Sequence, residues 1–364
     1  MLTFARPEAS IFALEKTNAM KDSIDFGSME IPKLFRKLLI PTVLGMVFSA
    51  VFVITDGIFV GRGIGSDALA AVNITAPLFL ISTGVGLMFG VGASVVASIH
   101  LAQGKVKAAR INVTQAVAVS SLLLAAYSFL LTSCAREVAL LLGSSERLLP
   151  LAVEYMHWFA PFLPFSALLS SGMFFIRLDG SPNYAMLCNA VPAVINIVLD
   201  PIFIFVFKMG VVGAAVATVI GQFCGCGLAL YMNLRKNHDL HLRFRGFRPD
   251  WKIVGNIYAI GLPSVVMVAI GSVMTFCMNK ILITYHSAKE TAATAFGIYF
   301  KLNSFVFMPV FGLNNGVVPI VAYNYGAQNR RRMMETIKRS AIYASCIMVL
   351  GMAIFWAIPG TLVS

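Results

Sequence analysis

The chain is divided by uncharged apolar runs of about 20 residues or more, the length at which a helix crosses the hydrocarbon of a bilayer. Roughly nine such runs are legible, at 34–60, 68–101, 110–133, 149–176, 184–207, 211–234, 252–284, 291–325 and 335–358. A hydrocarbon solvent offers backbone N–H and C=O groups no partner, so each run must satisfy them internally as a helix. The sequence therefore predicts an all-α integral membrane protein. The second and eighth runs are long and rich in Gly or Asn, which predicts tilt or a break. Of the residues 58% are hydrophobic and 12% charged, against about a quarter charged in soluble domains.

The net charge of +12 does not describe a nucleic-acid surface, because the basic residues lie between the apolar runs and form no basic face. They report topology. One set of loops carries Lys105, Lys107 and Arg110, then Arg177, then Arg235, Lys236, Arg243, Arg245 and Arg248, then Arg330, Arg331 and Arg332. The alternate loops carry Arg62, then Arg136 and Arg147, then Lys208, then Lys289. The positive-inside rule makes the first set, and with it the amino terminus, cytoplasmic. Residues 1–33 lack a signal-peptide core and read as a cytoplasmic, mobile segment. Met20 opens a stretch leading directly into the first span, so residues 1–19 read as an upstream start-site extension. Residues 235–251 read as a cytoplasmic linker. The six cysteines mostly lie within apolar runs without CxxC spacing, which suits packing. His238 and His241 stand three apart without further ligands.

A shift of 222 (263 − 41) superposes Pro41 on Pro263 and, without a gap, Ala70-Ala71 on Ala292-Ala293, Phe89-Gly90 on Phe311-Gly312, Gly104 on Gly326 and Arg110 on Arg332. Both copies start inside, so the repeats are parallel, a transporter architecture with the substrate path between the halves. The predicted lobes are residues 34–234, with six spans, and 252–364, with about three, since residue 364 corresponds to residue 142 (364 − 222).

Asp56, near the outer end of the first span, is the residue hardest to place in hydrocarbon, where a charge costs several kcal/mol. It reads as a site facing a bundle interior. Asp200 lies ~25 Å along the fifth span and Asp56 ~22 Å beyond Pro41, at similar depth by helical rise. Asn196 shares a helix face with Asp200, and Thr218 comes ~10 Å down the sixth span to the same level. Two carboxylates, an amide oxygen and a hydroxyl suit Na+, and two close carboxylates can share one proton. Interfacial acids in ordinary water contact, and interhelical hydrogen bonds by Asn196 and Thr218, fit the same positions. Pro41 is a fixed kink or a moving hinge. Lys301, ~15 Å into the eighth span, pairs with an acid, senses substrate in a central cleft or simply reaches water there. The chain has no HExxH, no nucleophile elbow and no paired loop acids, so no enzyme is expected.

A proline-containing first span ending in TDGIFVG, the link GIGSDALAAVN, a Gly-rich second span closing with QGKVKAAR, and NYGAQNRRRM in the second half resemble the multidrug and toxic-compound extrusion (MATE) family, over about residues 31 to 358. The resemblance implies a twelve-helix, two-lobed exporter exchanging H+ or Na+ for organic, often cationic, compounds by alternating access. Its cation site implies roles for Asp56, Asn196, Asp200 and Thr218, and a proline at the position of Pro41 that bends. Expected surroundings are the cytoplasmic membrane, small organic substrates, no nucleic acid, a monomeric state, and no cofactor beyond the coupling ion. This chain departs from the family pattern in carrying about nine helices and no acid from Pro263 to Asn279. The alternative is a lipid-linked precursor flippase of related fold, which would line its cleft with several arginines.

Overall fold

The computed structural model describes residues 24–237, 239, 240, 242, 250–285 and 289–357, with much of 268–305 described by backbone alone. The 1–19 extension, His238 and His241 lie outside the described residues. Eight described helices are long and apolar enough to span a membrane. They are α1 (Ile31–Gly63), α2 (Ser66–Ala102), α3 (Val106–Ser133), α5 and α6 (Leu149–Phe159 and Leu163–Leu178, one span), α7 (Pro182–Pro201), α8 (Val211–Tyr231), α10 (Lys289–Gly326) and α11 (Arg330–Ala357). The seventh expected span is the continuous helix α9 (Trp251–Tyr285). A short helix α4 (Ala135–Leu141) joins α3 to α5.

The breaks fall elsewhere than the composition suggested. Both α2 and α10 stay helical throughout, with Pro77, Pro309 and Pro319 inside them. The fourth span is the interrupted one, through a 3-10 turn at Ala160–Phe162. Pro161 and Pro164 remove two consecutive-turn donors there, so the α-ladder cannot run through. A second correction concerns residues 24–30, expected to be mobile with the rest of the amino-terminal segment. Ile24 and Phe26 are buried, and the Phe26 ring lies 5.7 Å from that of Tyr323 on α10. Nor is Arg177 a loop cation. It closes α6, 1% exposed, with its guanidinium carbon 5.3 Å from the centre of the Phe174 ring, where a cation meets the negative face of the aromatic.

The bundle has a basic end, carrying residues 24–30 and the turns at 103–105, 179–181 and 327–329, and an opposite end. At the basic end one continuous core joins the first six spans to the last three helices: Leu34 and Leu38 of α1, Phe89 and Ala93 of α2, Val113 of α3, Phe174 and Phe175 of α6, Ile257 of α9, and Leu313 and Ile320 of α10. Glycines let the backbones touch. A Cβ on Gly261 would strike the Met88 carbonyl, one on Gly92 the Ile257 carbonyl, and one on Gly326 would lie 2.7 Å from Ile99 Cα. Such packing of small residues is how helices associate in lipid, where no hydrophobic force drives them together. On the periphery α11 presents Ile342, Val349, Leu350 and Trp356 outward, a face suited to acyl chains.

Gly261→Ala is expected to lower stability by about 1–3 kcal/mol through overpacking. Gly227→Ala, with nothing within 4 Å of the new methyl, should be neutral or slightly stabilising. Thermal unfolding of the two purified variants in detergent measures the contrast.

Candidate functional site

The interior of the first six spans, toward the opposite end, is set by the crossing of α7 and α8. Pro192 of α7 faces Gly221 and Gly225 of α8, and a Cβ at Gly221 would lie 2.9 Å from the Pro192 carbonyl oxygen. This approach brings Asn196, one turn further along α7, to Thr218 on α8, with 3.1 Å between the Asn196 amide and Thr218 Oγ1. Amide oxygen and nitrogen are assigned from their neighbours. In the orientation satisfying both sides, Asn196 Nδ2 donates to Asp200 Oδ2 at 2.6 Å and Oδ1 accepts from Thr218 Oγ1 at 3.1 Å.

Asp200 ends the α-helical part of α7. Pro201 follows, and the backbone widens into a π turn over Ile202–Val206, closed by Phe207 N–H donating to the Ile202 carbonyl at 2.9 Å. Such turns relieve the ladder around a missing donor and recur at functional sites. Asp200 is fully buried and Asn196 1% exposed. From α1, the Asp56 carboxyl meets that of Asp200 in side-chain hydrogen-bonding contact. The end of α1 is fixed over the π turn: Phe59 packs edge-on to Phe205 at 6.4 Å, and a Cβ on Gly63 would lie 3.0 Å from the Phe205 ring.

Chemically, two carboxylates offer acceptors and no donors, so their contact is favourable only when a proton or another cation sits with them. Asp200 Oδ1 is buried without a hydrogen-bond donor. Leaving such an oxygen bare costs about 1–3 kcal/mol, more if charged, which a positive charge would offset. The two carboxylates are hard oxygen ligands, suited to Na+ as well as to a proton, while Asn196 turns its Nδ2 toward Asp200 and its oxygen toward Thr218.

The four oxygen-bearing side chains therefore converge. Pro41 does not join them. It lies 15 residues earlier in α1 (56 − 41), without ending the helix, one residue before Thr42, whose hydroxyl donates to the Leu38 carbonyl at 2.7 Å. Lys301 lies within α10, but its side chain is outside the described residues. A cavity of about 770 Å³ between α1 and α7, walled in part by Arg36, Lys37, Pro41 and Tyr184, lies at the basic end, away from the acids. One neighbour escaped the sequence reading: Tyr155 of α5 lies within electrostatic range of both Asp56 and Asp200 and stacks on Phe159 at 5.6 Å. Its one trace in the sequence is a phenol at i and a ring at i+4 inside an apolar span, a pattern that core packing produces equally well.

Comparison with known proteins identifies the family of the chain. The MatE family model matches residues 41–202 and 263–364. Multidrug export protein MepA of Staphylococcus haemolyticus is 29% identical over 340 residues, covering 93% of this chain and 72% of that protein. MepA of Staphylococcus saprophyticus is 28% identical over 349 residues, 94% of this chain and 74% of that protein. A solved outward-facing conformation of a multidrug resistance MATE family transporter of the MOP superfamily has the same fold, with a TM-score of 0.85 at 24% identity over 92% of this chain and 74% of that one. With the family model matching well over half of its residues, this multi-pass membrane protein belongs to the MatE family of transporters and is not an enzyme.

Proposed function

We propose that the protein exports organic, often cationic, compounds across the cell membrane in exchange for H+ or Na+, with Asp56 and Asp200 holding the coupling cation. The observation that carries this reading is the buried, donor-free oxygen of Asp200 in contact with a second carboxyl. A charge-deficient pocket of that kind gains most from one bound cation, and any conformational change that wets or reshapes it changes that gain. Export is supported by the MepA relatives, which are multidrug export proteins, and these give the lipid-precursor flippase no corresponding support.

In this reading the amino terminus is cytoplasmic, as the loop charges suggest, so the basic end is the cytoplasmic one. The shared core there closes the cytoplasmic end, as an outward-facing state requires. Binding a cation lets Asp56 and Asp200 approach, and the movement of α1 needed to separate them is taken up at Pro41, whose missing N–H leaves the helix ladder weaker at that turn. Thr218 holds Asn196, Asn196 orients Asp200 through its Nδ2 donor, and Tyr155 borders the pair. Lys301, within α10, is the residue proposed to supply a charge to the substrate path between two lobes. The family match starts afresh at Pro41 and Pro263, 222 residues apart, which supports two lobes built from one repeat. The transporter acts as a monomer.

Asp56→Asn and Asp200→Asn are each expected to reduce efflux of a cationic dye at least about tenfold, since one pK unit or more of coupling is removed, in cells holding normal amounts of protein. Normal efflux in both variants would remove the coupling site. Asn196→Ala should weaken cation affinity without abolishing transport. In proteoliposomes this appears as a roughly tenfold higher Na+ requirement, or as a pH profile displaced by about one unit, and an unaltered cation dependence would exclude Asn196 from the site.

A further inference from the structure

The carboxylates account for one end of the bundle; the other end holds a feature that they do not use. Arg332, in the first turn of α11, spreads its guanidinium over the segment that precedes α1. Its Nη2 donates to the carbonyls of Met29 at 2.6 Å and Phe26 at 3.1 Å, and its Nε donates to Asn324 Oδ1 at 3.2 Å. The Asn324 amide in turn donates to the Ile320 carbonyl at 2.9 Å, which fixes its orientation. Asp25 folds the segment into the shape Arg332 reads, accepting from Gly27 N–H at 2.8 Å and Ser28 N–H at 3.2 Å.

Arg110, 222 residues earlier (332 − 110) and likewise in the opening turns of α3, serves the linker instead. Its Nε donates to the Asp239 carbonyl at 2.8 Å, past the end of α8, where the Asp239 and Leu240 N–H groups also donate to Asp179 Oδ1, so Arg110 anchors the start of the linker to the first six spans. Gln115, further along α3, donates to the Asp250 carbonyl at 2.7 Å, immediately before α9 begins.

We infer that Arg332 is a positioning residue for transport, clasping the chain that enters the other part of the molecule, and that it holds the basic end shut. The inference rests on the alternating-access reading. Residues 26 and 29 stand five and two positions before α1, so α1 and α11 cannot part at this end while the Arg332 fork remains bonded. The acceptors on the amino-terminal segment are main-chain carbonyls, and the side chain that shapes the segment is Asp25. The clasp depends on arginine: a lysine ammonium is a point donor and cannot span two carbonyls and an amide oxygen in one plane. A staple that merely braces the amino-terminal segment would leave the separation of the two parts unchanged when cut.

The test uses the full chain in two labelled forms: one with all six cysteines replaced and spin labels at Lys107 and Lys338, both exposed, the other keeping Cys277 alone of the six and pairing it with a label at Arg62 toward the opposite end. Arg332→Ala is expected to increase the population with a long Lys107–Lys338 distance roughly tenfold, the effect of losing hydrogen bonds to a charged group, while the Arg62–Cys277 distance shortens. Arg332→Lys should fall between. If Arg332→Ala does not fold, Asn324→Ala removes the group that orients the fork and should shift the same distance in the same direction. Unchanged distributions in the folded variants, or a lowered melting temperature with unchanged distributions, would overturn the clasp. The distances are read without drug or cation gradient, so they stand apart from the coupling site. Normal efflux by Asp200→Asn would remove that site and leave the clasp as measured.

Discussion

A carboxyl group taken wholly out of water, with a second carboxyl against it, constrains this molecule more than any other interaction. Asp200 has no exposed surface and one oxygen without a donor. Helices of apolar side chains would avoid such a group unless neighbours were built to accommodate it. Here the neighbours are built: the glycines opposite Pro192 bring α8 close enough for Thr218 to reach Asn196, Asn196 reaches Asp200, and the π turn after Pro201 frees the backbone to hold that orientation. In the proposed reading the arrangement accommodates one proton or one other cation. The donor-free oxygen of Asp200 is the physical basis for reading the site as cation-coupled.

The basic end has a different character. Its packing is apolar and continuous across the bundle, with backbone-to-backbone contacts at Gly92, Gly261 and Gly326. Cores packed this closely do not deform gradually. In the proposed mechanism a change at the acids is carried as a movement of whole helices, α1 above all, because α1 supplies Asp56 to one end and Leu34, Phe35 and Leu38 to the other. Pro41 lies between these two sets of residues. The clasp by Arg332 sits where such a movement would have to open the structure.

Much of this was legible in the sequence, because a bilayer imposes one length and one polarity on every span. The helices follow the apolar runs to within a few residues, and counting helical rise placed Asp56, Asp200 and Thr218 at a common depth. Depth says nothing of rotation about the helix axis, and the approach of α7 to α8 depends on Gly221 and Gly225, which composition treats as possible weak points. Tyr155 was missed for the same reason: nothing along α5 indicates which bundle face it occupies. The Gly-rich second span was expected to tilt or break, and it runs unbroken, with glycines that meet partner backbones. The fourth span breaks at Pro161 and Pro164, where the chemistry of the imide outweighs the hydropathy pattern. Arg177 was counted as a loop cation because charge signals water, whereas the Phe174 ring gives it a place inside.

The central claim is that the pocket around Asp200 binds one cation whose occupancy is linked to the direction in which the transporter faces. The most direct measurement is cation release on drug binding: purified protein in weakly buffered detergent solution is titrated with a cationic drug while pH and free Na+ are followed. The account requires release of about one H+ or one Na+ per chain, and none from Asp200→Asn. Equal release by the variant, or drug binding without release of either ion by the unsubstituted protein, would contradict it.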